Sequence, residues 1–204
     1  MDMRFAELWP AWRADPGDPA LEAALRALAR EEHPAAAQAL AVRAFEGHGQ
    51  PRDAAAAFAW SLRAAHGGFA AGAAMAGNFF LHAEPEFGAC ARDAERALHW
   101  HDRAGLAGHA QAALVASDSH RMGRGGARDF GRAWLFLRIA LALFERPPPI
   151  TEILVPSLQA DLGAEARARI DAEADALIAT LPRADASLEH FWAQEHTRIA
   201  EQIA

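Results

Sequence analysis

Lysine and tyrosine are missing from this 204-residue chain, and Asn78 is its one asparagine. All 20 Lys+Arg positions are therefore arginine. Codons for the scarce residues are rich in A and T, so the bias is expected from a GC-rich, bacterial genome. Cysteine occurs once, at Cys90. That excludes an internal disulfide and fits a reducing compartment. Basic charge is outweighed, 20 residues against 27 acidic ones, for a formal net charge of −7 and a pI near 5.8. General nucleic-acid binding needs a basic footprint that releases phosphate counterions, and none is expected here. Arg121, Arg124, Arg128 and Arg132 gather into one basic stretch. It reads as a solvated turn and helix start, or as a site for an acidic partner. Long apolar runs are lacking too. The first residues, MDMRFAELWPAWRADPG, are broken by charges, and the richest segment, AWLFLRIALALF, contains Arg138. It falls short of the roughly 18 apolar residues that suggest a membrane span. The expectation is a cytoplasmic protein with no membrane partner.

Motifs that carry chemistry are also missing. The chain has no H-E-x-x-H, no paired cysteines, no G-x-S-x-G, no P-loop and no dinucleotide-binding glycine fingerprint. Its 10 histidines cluster most tightly at His99-Trp100-His101, with His109 and His120 downstream. Residues two apart on a helix point about 200° apart, so His99 and His101 cannot close on one ion. Nothing around Cys90 marks it as a reactive thiol. The pairs Glu31-Glu32 and Glu84/Glu86 read as surface. No catalytic residue, metal or cofactor is expected; an enzyme using Cys90 or the histidines is the less favoured alternative.

What the chain does have is a recurring phrase. Arg-Asp stands at Arg52-Asp53, Arg92-Asp93 and Arg128-Asp129, so the aspartates are 40 (53 to 93) and 36 (93 to 129) residues apart. Four residues after each aspartate comes alanine (Ala57, Ala97, Ala133), and seven after comes a large aromatic (Trp60, Trp100, Phe136). Eleven after comes alanine again (Ala64, Ala104, Ala140). Offsets of 4, 7 and 11 are successive turns on one helix face. The aspartate is a good N-cap, because its carboxylate accepts from otherwise unpaired N–H groups. Before Gly47-His48-Gly49 and before Gly123-Arg124-Gly125 lie PAAAQALAVRAFE and AQAALVASDSHRM, each a helix ended by glycine. The middle copy, AAGAAMAGNFFLHA, has this connection lengthened by four residues, which accounts for the longer interval. Each unit is therefore helix A, glycine turn, helix B, and such pairs must stack to bury their apolar faces.

This phrase resembles the Sel-one-like repeat (SLR) family, relatives of the tetratricopeptide repeats. The family pattern ends helix A with G-x-G-x-P-x-D and continues A-x-x-W-x-x-x-A-A-x-x-G. Gly47, Gly49, Pro51, Asp53, Ala57, Trp60, Ala64, Ala65 and Gly68 match it throughout. The second copy keeps Asp93, Ala97, Trp100, Ala104 and Gly108 but has Gly105 for the second alanine. The third keeps Gly123, Gly125, Asp129, Ala133 and Ala140, with Phe136 for tryptophan. The helix A glycine of the family appears as Gly77, with Ala41 and Ser117 in its place elsewhere. The resemblance covers about residues 34–144.

It implies an all-α fold, a right-handed α-α superhelix of antiparallel helix pairs with capping helices at both ends. The whole chain is expected to form one solenoid domain: a degenerate helix pair over 1–33, repeats over 34–69, 70–109 and 110–146, and C-terminal helices over 147–204. In that last part, Pro147 to Pro149 stop the long helix, and helices are expected over 164–181 and 184–203. The last would serve as a lid or would dock a partner or a second copy in a homodimer. In the tetratricopeptide architecture helix A lines a concave groove. Matched positions put Gln38, Val42 and Glu46, then Ala74, Asn78 and His82, then Gln111, Asp118 and Arg121 on that face. Gln38, Glu46, Asn78, His82, Gln111, Asp118 and Arg121 are thus the polar candidates for binding a protein or peptide. The favoured function is a non-catalytic interaction module or adaptor. The alternative is a bacterial immunity or regulatory protein that neutralises a partner toxin or enzyme.

Overall fold

A computed structural model describes residues 3–15, 17–47, 50–82 and 89–181. Among the described residues the regular structure is ten α-helices and no strand. They are α1 (Met3–Ala14), α2 (Pro19–Arg30), α3 (Pro34–Glu46), α4 (Ala54–His66) and α5 (Ala70–Leu81), followed by α6 (Ala94–Leu106), α7 (Ala110–Met122), α8 (Phe130–Leu143), α9 (Thr151–Asp161) and α10 (Ala164–Ile178). The chain divides into two compact units, Met1–Arg92 with α1 to α5 and Asp93–Ala204 with α6 to α10. The division falls inside the second sequence repeat, in its lengthened connection. No helix among the described residues is long and apolar enough to cross a membrane.

The turn from helix A to helix B has one geometry in both units. In the first, α3 ends on Gly47 in the left-handed region (φ 77°). A Cβ there would press on Gln50 O and Arg52 Cγ at 3.0 Å, so the position needs glycine on two counts. The chain then folds back, and the Asp53 N–H donates to Ala44 O at 2.8 Å. The Asp53 carboxylate accepts from Ala56 N at 2.9 Å and caps α4. In the second unit α7 ends on Gly123 (φ 69°) and Asp129 N–H donates to His120 O at 3.0 Å. The Asp129 carboxylate accepts from Arg132 N at 2.8 Å. Each aspartate thus bonds the carbonyl nine residues before it. Asp93 caps α6 in the same manner, through Arg96 N at 2.9 Å.

The return turns match as well. His33, Phe69 and His109 each donate their N–H to the carbonyl five residues back: Leu28, Ala64 and Ala104, at 3.1, 3.0 and 3.0 Å. The residue before each is left-handed: Glu32 (φ 64°), Gly68 (φ 85°) and Gly108 (φ 98°). The α2–α3 turn therefore has the repeat geometry with glutamate in the glycine place. His33 and His109 also accept, at Nδ1, from Ala36 N and Ala112 N at 3.2 Å. They are the N-caps of α3 and α7, a role that requires an unprotonated Nδ1.

Small residues let the helices approach closely. A Cβ on Gly72 of α5 would lie 2.6 Å from the Ala64 Cβ of α4. In the second unit the glycine is on the other partner: a Cβ on Gly105 of α6 would lie 3.0 Å from the Ala113 Cα of α7. Helix α3 packs against α2, α4 and α5, and every residue from Ala35 to Ala44 is buried. Helix α5 is buried from Ala70 to Gly77. Of the phased aromatics, Trp100 and Phe136 are buried and Trp60 is half-buried.

Helix α8 stops at Leu143, before the proline run, as its sequence indicates. The chain then makes α9, which the sequence pattern does not predict because Pro156 interrupts it. Pro156 sits on the exposed side, where water can satisfy the carbonyl it leaves free. Helix α10 forms where expected and is tied to α8. The Trp134 indole donates to Asp171 Oδ1 at 2.9 Å, and Arg138 bridges Asp171 and Asp175 at 2.5 and 2.8 Å. The helix expected over 184–203, with its lid or dimer role, lies outside the described residues.

Two substitutions report on the turns. Asp129→Ala is expected to lower stability by about 1 kcal/mol, the usual cost of an N-cap. Glu32→Gly is expected to raise it by up to about 1 kcal/mol, because the left-handed region strains a residue that carries a Cβ. Urea unfolding at neutral pH measures both; an unchanged midpoint for either contradicts the assigned turn.

Candidate functional site

The residues expected to line a groove have three different environments. Gln38 is completely buried, which corrects its place on a solvent-facing groove. Its Nε2 donates to the Met75 Sδ at 3.8 Å, and its Oε1 has no hydrogen-bond partner among the described residues. Val42 and Ala74 are buried too. The physical reason is the three-sided packing of α3, which leaves no open face at the phase where tetratricopeptide helices have one. Glu46 and Asn78 are half-buried near the ends of α3 and α5, and His82 is exposed as the C-cap of α5.

The second unit differs. On α7 the residues Gln111, Val115, Asp118 and Met122 follow offsets of 4, 7 and 11, one helix stripe. Gln111 and Met122 are exposed and Val115 and Asp118 half-buried, whereas Ala112 to Leu114, Ala116, Ser117, Ser119 and His120 are buried. Asp118 is the electrostatic centre of this stripe. Its Oδ1 accepts from Arg121 Nη2 at 2.6 Å, and its Oδ2 faces Arg124 Nη1 at 2.9 Å. The structure thus brings Gln111, Asp118 and Arg121 onto one surface and adds Val115, Met122 and Arg124. The added apolar residues follow from helical phase, but their side chains carry no polar signal that marks a binding face.

The arginine-rich stretch is mostly committed. Arg121 and Arg124 share Asp118, and Arg132 pairs with Asp102 at 3.0 Å. His120 joins that network, its Nε2 lying 3.0 Å from Asp102 Oδ1. His99 is exposed and His101 buried, on opposite sides of α6. Among the described residues no group of three or more His, Cys, Asp or Glu side chains is placed to hold a metal. The Cys90 thiol is half-buried and donates to Phe79 O at 3.4 Å. In the first unit Glu22 of α2 pairs with the buried Arg43 of α3 and, at 2.7 Å, with Arg26. The Arg43 hydrogen bond holds the Glu22 carboxyl below the usual carboxylate range, with burial pushing the other way and Arg26 adding to the lowering.

No family model and no curated protein matches the chain. Among solved structures, a Sel1 repeat protein from Oxalobacter formigenes superposes with a TM-score of 0.59 at 23% identity, covering 68% of this chain and 38% of that one. The protein c5321, a protective antigen present in uropathogenic Escherichia coli strains that displays an SLR fold, superposes with a TM-score of 0.55 at 17% identity. That match covers 95% of this chain and 47% of the antigen. The matched part of this chain spans less than half the length of either protein.

All-helical in its described residues, and alike in fold to these two solved structures, the chain has an α-α fold of the SLR type. The resemblance carried by its glycine, aspartate and aromatic positions is thereby matched in three dimensions. Its Glu22–Arg43 pair generates a pH prediction. A carboxyl whose folded pKa is lowered stabilises the fold above its unfolded value, about 4.3. That stability is lost as pH falls through the lower folded value. Wild-type stability is therefore expected to fall from about pH 5 downward. Glu22→Gln should be less stable at pH 7 and should lose part of that acid slope; parallel pH profiles would contradict the pair's role.

Proposed function

We propose that the protein is a non-catalytic interaction module that holds a protein or peptide partner along the open stripe of α7. The observation that carries this reading is the stripe itself. Helix α7 is buried on its other sides, yet presents Gln111, Val115, Asp118, Arg121 and Met122 in helical phase. Apolar Val115 and Met122 flank an ion-paired carboxylate, and Gln111 offers an amide that can pair with backbone groups. Such a mixed surface suits an extended segment or a loop better than a small charged solute. Glu46, Asn78 and His82 are the corresponding candidates of the first unit and stand second to α7, since their helices are otherwise enclosed. The SLR fold supports the reading at the level of architecture, because stacked helix pairs supply extended binding faces.

Co-purification from the native host with wild-type protein and with Gln111→Ala/Asp118→Ala/Arg121→Ala tests the reading. All three positions are at least partly exposed, so the variant should keep its helical circular dichroism and melting cooperativity. Loss of the captured partner by the folded variant is the expected result. Equal capture by both proteins would remove α7 as the binding face.

A further inference from the structure

The repeats are not filled alike, and the difference leaves a cleft. In the second unit His120 stands nine residues before the capping Asp129, Arg132 three after it, and Phe136 seven after it. The His120 ring stacks on Phe136, with centroids 5.6 Å apart and planes at 12°. The Arg132 guanidinium lies 5.7 Å from the Phe136 centroid. Asp102 of α6 faces both side chains, at 3.0 Å from His120 Nε2 and 3.0 Å from Arg132 Nη2. Phe136 is completely covered.

In the first unit the same three positions are Ala44, Ala56 and Trp60. The turn around them is the same, with the aspartate N–H bonded nine residues back. Two side chains that fill the space beside the aromatic are thus replaced by methyl groups. A cavity of about 500 Å³ opens there, lined by Ala44, Ala56 and Trp60 together with Glu22, Arg26, Arg43, Arg52 and Asp53. Trp60 is only half-buried, and Arg26 stands 6.0 Å from its ring centroid.

Most of the lining charge is spent. Glu22 serves Arg43 and Arg26, and Asp53 Oδ1 caps α4. Arg52 is exposed and has no ion-pair partner among the described residues. The cleft therefore offers methyl walls, the part of the Trp60 ring that Arg26 leaves open and, among the described residues, one guanidinium without an ion pair. A guest that restores the packing of the second unit must put a flat ring against Trp60, and Arg52 calls for an anion beside it.

We propose that this cleft is a second binding site, which takes an aromatic ring with an adjacent carboxylate, presented as the C-terminal residue of a peptide. Its volume falls in the range of pockets that enclose small ligands, about 300–1,000 Å³. The ring replaces the His120 stack, and the terminal carboxylate meets the Arg52 guanidinium. The site uses no residue of the α7 stripe, so the failure of one reading leaves the other standing.

The probe is the peptide acetyl-Gly-Gly-Phe with a free C-terminus, followed by the indole N–H signals of the ¹⁵N-labelled full chain. Trp60→Phe identifies the Trp60 signal. The acid peptide is expected to shift that signal saturably, and its C-terminal amide to bind about threefold to fivefold more weakly, as for an exposed charge pair. N-acetylphenylalanine, which carries the same ring and carboxylate, should bind like the acid peptide; no shift from it at the same concentration would contradict recognition by ring and carboxylate. Arg52→Gln, an exposed change that leaves the fold intact, should make acid and amide equal. Ala44→His/Ala56→Arg, which imports the second unit's filling, should abolish the shift. A Trp60 signal that ignores the acid peptide at about 10 mM, well above a millimolar Kd, would overturn the proposal. So would acid and amide binding equally to the wild type. If the filled variant does not fold, the Arg52→Gln comparison alone decides.

Discussion

The structure of each unit depends on what one aspartate does at the α3–α4 and α7–α8 turns. Its backbone N–H closes on the carbonyl nine residues earlier, at Ala44 or His120, while its carboxylate takes an amide of the next helix. The first bond fixes how helix B leaves helix A; the second satisfies a helix end that would otherwise have unpaired donors. The left-handed glycine before it makes the reversal possible without a steric penalty. With the turn fixed, the phase of helix B is fixed too, and positions four, seven and eleven residues on must face the neighbouring helix. Alanine there permits close approach, and the aromatic fills the gap. Local turn chemistry and long-range packing thus agree, as they must in a chain with one stable fold.

The alanine content has a further consequence for function. Helices α3 and α5 are so small-sided that neighbours close around them, and the face a helix A would show to a partner disappears in the first unit. Helix α7 carries Val115, Asp118 and Met122 on one stripe and keeps that face open. The same economy of side chains produces the cleft beside Trp60, where Ala44 and Ala56 stand in place of His120 and Arg132. Surface and cavity are therefore two results of one variable, the size of the side chains at matched repeat positions.

Much of the fold is legible in the sequence because the turn is written in residues with narrow conformational preferences. Gly47, Gly123 and the three capping aspartates say where helices stop and start, and the in-phase aromatics say which face is inside. What the sequence hides has physical causes. His33 and His109 act as caps through an imidazole nitrogen, a role that histidine shares with too many others to be read from its letter. Helix α9 survives Pro156 because the lost hydrogen bond is on its wet side. Gln38 reads as a groove residue because helical phase gives an outward direction only when a side is left open, and α2, α4 and α5 leave none. The cleft is hidden for a related reason: alanine at Ala44 reads as close packing, and only the contrast with His120 shows it to be an unfilled space.

Native-state hydrogen exchange at the Asp53 and Asp129 amides bears most directly on the claim that one repeated turn organises both units. If the turns organise the helices, these two amides are bonded into the folded core, and each should exchange as slowly as the interior amides of α4 and α8. Exchange at rates typical of an open loop, with the flanking helices still protected, would show that the helices hold the turns and not the reverse.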